Sequence, residues 1–89
     1  MPVVAQGCIP VFADASPECM NMSPEGIRAK LTDRTGAIIC GHIAGIPCEM
    51  DEIMAIAKER DLFVIEDCAQ AHGATYGGKV VGSIGHLGA

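Results

Sequence analysis

Leu62-Phe63-Val64-Ile65-Glu66-Asp67-Cys68-Ala69-Gln70-Ala71-His72-Gly73 is the stretch on which the fold turns. Leu62–Ile65 is apolar, rich in β-branched and aromatic residues, and too short for a helix. It has no strict apolar/polar alternation, which suits a strand covered on both faces, as in a parallel sheet. Ile9–Ala13 and Ala37–Cys40 have the same character. Helical segments separate the three runs. Ser23-Pro24-Glu25 is a helix start, with Ser as N-cap, Pro in the first turn and an acid at the positive end of the dipole. That helix is expected to reach about Leu31, with Gly26 a weakness of about 1 kcal/mol against Ala. From Glu49 to Arg60, Met50, Ile53, Met54, Ile56 and Ala57 form the stripe of an amphipathic helix. Acids open it and Lys58 and Arg60 close it, matching the dipole, and Pro47 lies just upstream. The order is β-α-β-α-β, so the class is α/β with parallel strands. Six glycines follow between Gly73 and Ala89. Gly77-Gly78 reads as a hairpin turn joining Thr75-Tyr76 to Lys79-Val80.

The chain has 89 residues, enough for one small domain. A chain this short buries only about 60–65% of its unfolded surface, so its core is marginal. With 3% aromatics and no Trp, that core must be built from Ile, Val, Leu, Ala and Met. Net charge is −5 and the six basic residues are scattered, which argues against a nucleic-acid face. No apolar run approaches the roughly 18–20 residues of a membrane span, and no basic segment precedes an apolar one at the N-terminus. The five cysteines form no CxxC pair, so a zinc ribbon is not supported. They read as reduced, mostly buried thiols of a cytoplasmic protein, and no metal ligands are assigned.

Open α/β sheets bind ligands beyond the carboxyl ends of their strands, where Glu66-Asp67 would stand. Either acid could equally cap the following turn. His72 taken alone reads as a structural histidine. The Gly82-x-x-Gly85-x-x-Gly88 spacing neither follows a strand nor opens a recognisable helix, so a dinucleotide loop is a weak reading.

The run Phe63–Ala74 resembles the signature of the DegT/DnrJ family, the pyridoxal-phosphate (PLP)-dependent nucleotide-sugar aminotransferases. The likeness extends to Ile9-Pro10-Val11-Phe12-Ala13-Asp14, Asn21-Met22-Ser23-Pro24-Glu25, Thr32-Asp33-Arg34-Thr35 and Ala37-Ile38-Ile39. It also takes in His42, Gly45, Met50-Asp51, Ile53 and Gly82-Ser83-x-Gly85, so it covers essentially the whole chain. It implies that residues 1–89 are part of the large, PLP-binding domain of a fold type I enzyme: a β-α-β-α-β piece of its sheet ending in a short hairpin. Asp67 would pair with the protonated pyridine nitrogen, where a carboxylate keeps the ring a good electron sink. Gln70 would lie near the ring hydroxyl and Ala69 under the ring face. Glu66 would be structural.

Departures accompany the likeness. His86 stands where members usually carry Asp, and Gly41 and Ala44 replace bulkier residues around His42. The family's phosphate-binding turn and Schiff-base lysine have no counterpart here, and Lys30, Lys58 and Lys79 fall at none of the right places. No catalytic residue is therefore assigned, and the chain alone is expected to be inactive. The expected parent is a homo-oligomeric aminotransferase that takes an amino group from a donor such as glutamate to a nucleotide-linked keto sugar. A PLP-dependent sugar dehydratase on the same scaffold and a non-catalytic truncated α/β module are the alternatives.

Overall fold

The computed structural model describes residues 2–89. A short helical turn, α1 (Pro2–Ala5), is followed by α2 (Pro24–Lys30), β1 (Ala37–Gly41), α3 (Met50–Arg60) and β2 (Phe63–Asp67). Then come a hairpin, β3 (Thr75–Tyr76) and β4 (Lys79–Val80), and a last short strand, β5 (Leu87–Gly88). The central sheet has the order β1-β2-β5 and is parallel throughout, with Ile39 opposite Ile65 and Ile65 opposite Leu87. No helix among the described residues is long and apolar enough to cross a membrane.

The helices form where their local signals lie. Ser23 Oγ accepts the Gly26 N–H at 2.9 Å and so caps α2. Gly26 has a reason beyond propensity: a Cβ there would stand 2.6 Å from the Asp14 carbonyl oxygen. α3 ends on Asp61, in the left-handed conformation. Ile27 of α2 and Met50, Ile53, Ile56 and Ala57 of α3 pack with Ile38, Cys40 and Val64 of the sheet. Fully burying side chains of this kind contributes about 1.5–3 kcal/mol each. Tyr76 and Ile84 join this core to a smaller cluster of Cys68, Ala71 and Val81.

The α/β class, the parallel sheet and the antiparallel hairpin are as the sequence implies, but the strands are not all where it puts them. Ile9–Ala13 is not a strand. Ile9 is 81% and Phe12 74% exposed, and the nearest pairing is an isolated bridge between Ala15 and Met22. The run has the composition of a strand but pairs with neither edge of the sheet, and Pro10 can donate nothing to a ladder. The third strand is instead Leu87–Gly88, so the hairpin is not the last element.

Coverage on both faces is also not realised. Alternation sends Ile38, Cys40, Val64 and Glu66 towards the helices. Ile39, Phe63 and Leu87 stand exposed on the other side.

Candidate functional site

The end of β2 divides its two acids between the sheet's faces. Glu66 is completely buried. Its Oε1 accepts the amides of Ile84 at 2.8 Å and Gly85 at 2.6 Å. Its Oε2 accepts the amide of Gly82 at 2.8 Å and lies 3.0 Å from His42 Nε2. His42 Nδ1 accepts the Cys48 amide at 3.0 Å, so the ring proton sits on Nε2 and is donated to Glu66. Burial pushes the Glu66 carboxyl up. Hydrogen bonds from the Gly82 and Gly85 amides, His42 and the Ile84 amide outweigh it, and the group lies below its ordinary value.

This arrangement accounts for the glycine spacing. A Cβ on Gly85 would stand 3.0 Å from the Val64 carbonyl oxygen and 3.3 Å from Glu66 Cγ. A Cβ on Gly88 would collide with the backbone of Gly82. The glycines let a loop close over a carboxylate belonging to the protein itself. His42, Glu66 and Cys68 also bring potential metal-ligating atoms within 4.8 Å of one another. With four hydrogen bonds on Glu66, the lone pairs a cation needs are already engaged, and the cluster is a hydrogen-bonded one.

Asp67 points the other way. It is exposed at the carboxyl end of β2, on the face that carries Ile39, Ile65 and Leu87. Its backbone carbonyl accepts the His42 amide at 3.0 Å, which fixes the strand end. Its Oδ1 accepts the Ala69 amide at 3.0 Å in a tight Asx turn, leaving Oδ2 open. Ala69 and Gln70 are exposed in that turn, and Gln70 Oε1 accepts the Ala44 amide at 2.9 Å. The three residues singled out in the sequence therefore share one short, fixed segment at the open end of the sheet. His72 is exposed and is not drawn into it.

Reading the sequence missed how much of this segment is held from elsewhere. Buried Asn21 bonds both Ile43 and Ile46, and His42 couples β1 to β2 through Glu66. The available signal was a polar residue, Asn21 or His42, set beside an apolar run. His86 is exposed, yet its Nδ1 accepts the Val64 amide at 2.9 Å and its own amide bonds the Val64 carbonyl at 2.8 Å. The imidazole thus supplies an acceptor such as an Asp carboxylate would offer.

The profile of the DegT/DnrJ/EryC1/StrS aminotransferase family matches residues 1–89. The chain is 48% identical over 81 residues to GDP-perosamine synthase of Escherichia coli O157:H7, covering 91% of this chain and 22% of that protein. It superposes with a TM-score of 0.95 and 59% identity on an aminotransferase from Psychrobacter cryohalolentis, covering 97% of this chain and 22% of the other. It superposes with a TM-score of 0.87 and 32% identity on the E. coli GDP-4-keto-6-deoxy-D-mannose-3-dehydratase with bound hydrated PLP, covering 94% and 22%. The chain thus spans about a fifth of the length of these relatives.

Proposed function

This chain belongs to the DegT/DnrJ/EryC1/StrS aminotransferase family, and from that premise we propose that it is the cofactor-facing part of the large domain of a PLP-dependent nucleotide-sugar aminotransferase. The observation that carries the reading is Asp67: an exposed carboxylate, fixed through its own turn and strand, at the ligand-binding end of a parallel sheet. The donor set suits the cofactor. Asp67 offers Oδ2 to a cationic ring nitrogen, Ala69 presents a small side chain to a flat ring, and Gln70 presents an amide. PLP, when bound, supplies an electron sink. Asp67 keeps the ring nitrogen protonated, and Gln70 orients the ring edge. Glu66 and His42 tie the strand end to the 82–85 loop.

In the longer parent the reaction is transfer of an amino group from an amino acid such as glutamate to a nucleotide-linked keto sugar. A sugar dehydratase is the second reading, supported by the superposition on the E. coli enzyme solved with PLP. The five free thiols support a cytoplasmic setting. A homo-oligomeric parent is part of the same proposal, and the exposed Ile9, Phe12, Phe63 and Leu87 support self-association of the isolated chain. Light scattering on the isolated 89-residue chain at micromolar concentration should therefore detect dimers or larger species. A sharp monomer would count against self-association.

The functional test is a PLP absorbance titration of the full-length protein carrying this segment, followed by an assay with a nucleotide-linked keto sugar and glutamate. Saturable binding and amino-sugar formation are expected. PLP binding with deoxygenation of the sugar and no amino product would favour the dehydratase. No PLP binding would refute both.

A further inference from the structure

Beyond β1 the chain turns sharply at Ile43–Ile46, and this turn is held from two sides. Asn21, more than 20 residues upstream and 1% exposed, accepts the Ile43 amide on Oδ1 at 2.9 Å. It donates from Nδ2 to the Ile46 carbonyl at 2.7 Å. Asn21 does not cap α2; Ser23 does that. Both polar atoms of its side chain bond the turn. Within the turn Ala44 adopts φ 54° and ψ 28°, a left-handed conformation that a non-glycine residue keeps only when its surroundings impose it.

That conformation directs the Ala44 N–H at Gln70. A backbone N–H can only donate, so the atom facing it is the side-chain oxygen, 2.9 Å away. The NH2 group is turned to the opposite side, where among the described residues it donates to nothing. Gln70 therefore has its oxygen engaged by Ala44 and both N–H donors of its NH2 group unengaged among the described residues, three residues beyond a carboxylate that presents only acceptors.

We propose that Asn21 is a positioning residue for Gln70. By fixing the Ile43–Ile46 turn it aims the Ala44 N–H that orients the Gln70 amide, so that the Gln70 NH2 group is turned towards an acceptor oxygen on the edge of a ligand whose ring nitrogen faces Asp67. The inference rests on the PLP reading for the identity of that ligand; the linkage from Asn21 to Gln70 stands on the hydrogen bonds. Were the turn released, the Gln70 amide would be free to flip and present its carbonyl to the ligand oxygen.

The experiment is a double-mutant cycle in the full-length protein, read by PLP titration, by unfolding midpoint and by hydrogen exchange of peptides spanning Ala44 without ligand. Asn21→Ala should weaken PLP binding by about tenfold, as loss of one well-placed hydrogen bond does. In a Gln70→Leu background it should weaken binding no further, while still lowering the unfolding midpoint as it does alone. Exchange at Ala44 should accelerate in Asn21→Ala while β1 and β2 stay protected. If Asn21→Ala does not fold, Asn21→Asp serves in the same cycle, keeping the Oδ1 acceptor and losing the donor to Ile46. Equal losses of affinity in both backgrounds would make Asn21 merely structural and overturn the proposal. Unchanged exchange at Ala44 would overturn the linkage whatever happens to affinity. No PLP binding by the unsubstituted protein would overturn the functional reading and the ligand half of this one, with exchange reporting separately on the linkage.

Discussion

The side chain of Glu66 ends among three backbone amides and an imidazole, whereas that of Asp67, one residue later, reaches solvent and accepts one bond from its own turn. Strand alternation alone puts them on opposite faces. The helix-covered face takes a carboxylate and uses three of its four hydrogen bonds to fasten the 82–85 loop, and through it β5, and the fourth to hold His42. The open face takes a carboxylate of similar chemistry and leaves one oxygen free. A buried acid whose acceptors are all engaged holds structure together; an adjacent acid with spare capacity is available to a ligand.

The largest effect that would sharpen this contrast is on stability. Glu66→Ala leaves the amides of Gly82, Ile84 and Gly85 and the His42 N–H without their acceptor. A buried donor left unsatisfied costs about 1–3 kcal/mol. Urea unfolding of the full-length protein should show a loss of that order, and a loss under about 1 kcal/mol would break the comparison. The acid dependence follows from the same carboxyl. Its folded pKa lies below the unfolded value of about 4.3, so the unfolded state binds more protons between the two. The contribution of Glu66 is fully present above the unfolded value and is lost as pH falls through the depressed folded one. Glu66→Gln should flatten that acid limb of the stability curve and leave the slope near neutrality unchanged.

Asp67→Asn should do the reverse. It should leave the unfolding midpoint nearly unchanged, because an amide oxygen can still accept from Ala69. In the full-length enzyme, removing the charge that holds the ring nitrogen protonated should lower kcat by on the order of 10²-fold, about 3 kcal/mol of barrier. Turnover left intact in Asp67→Asn and abolished in a folded Glu66→Gln would mean that the roles of the two acids are exchanged.

This division of labour was only partly legible in the sequence. α3, β1 and β2 announce themselves through local signals, namely a helical stripe, complementary end charges and β-branched runs. The Gly77-Gly78 turn does the same for the hairpin. Ile9–Ala13 misleads because composition describes what a strand is made of, while forming one also needs a neighbouring strand to pair with, and this run pairs with neither edge of the sheet. Leu87–Gly88 escapes notice for the converse reason: two residues carry no pattern, and β5 forms because Glu66, some 20 residues earlier, draws the intervening loop closed. Asp67, Ala69 and Gln70 were picked out by resemblance. Spacing alone leaves Glu66 and Asp67 interchangeable; the resemblance assigns the ligand role to Asp67, and alternation along β2 supplies the physical reason. The bonds from Asn21 to Ile43 and Ile46 span more than 20 residues and leave no local trace.

The smallest effect concerns how β5 is fastened on the Glu66 side. His86 Nδ1 accepts the Val64 amide, extending the β2–β5 pairing through a side chain, and the ring meets Phe63 edge-on at 5.5 Å between centroids. His86→Ala removes the acceptor and the ring contact together, and should cost about 1 kcal/mol. His86→Asp offers a carboxylate oxygen as many bonds from the backbone as the imidazole Nδ1. It should therefore recover the hydrogen bond and forfeit only the ring contact, leaving stability within about 0.5 kcal/mol of the unsubstituted protein. Chemical denaturation of the two variants side by side separates the contributions. If His86→Asp is as unstable as His86→Ala, the edge contact with Phe63 rather than the hydrogen bond to Val64 secures β5. Glu66 would then carry the side-chain polar anchoring of the closed side, beside the backbone bond from the His86 amide to the Val64 carbonyl, which makes the contrast with Asp67 sharper still.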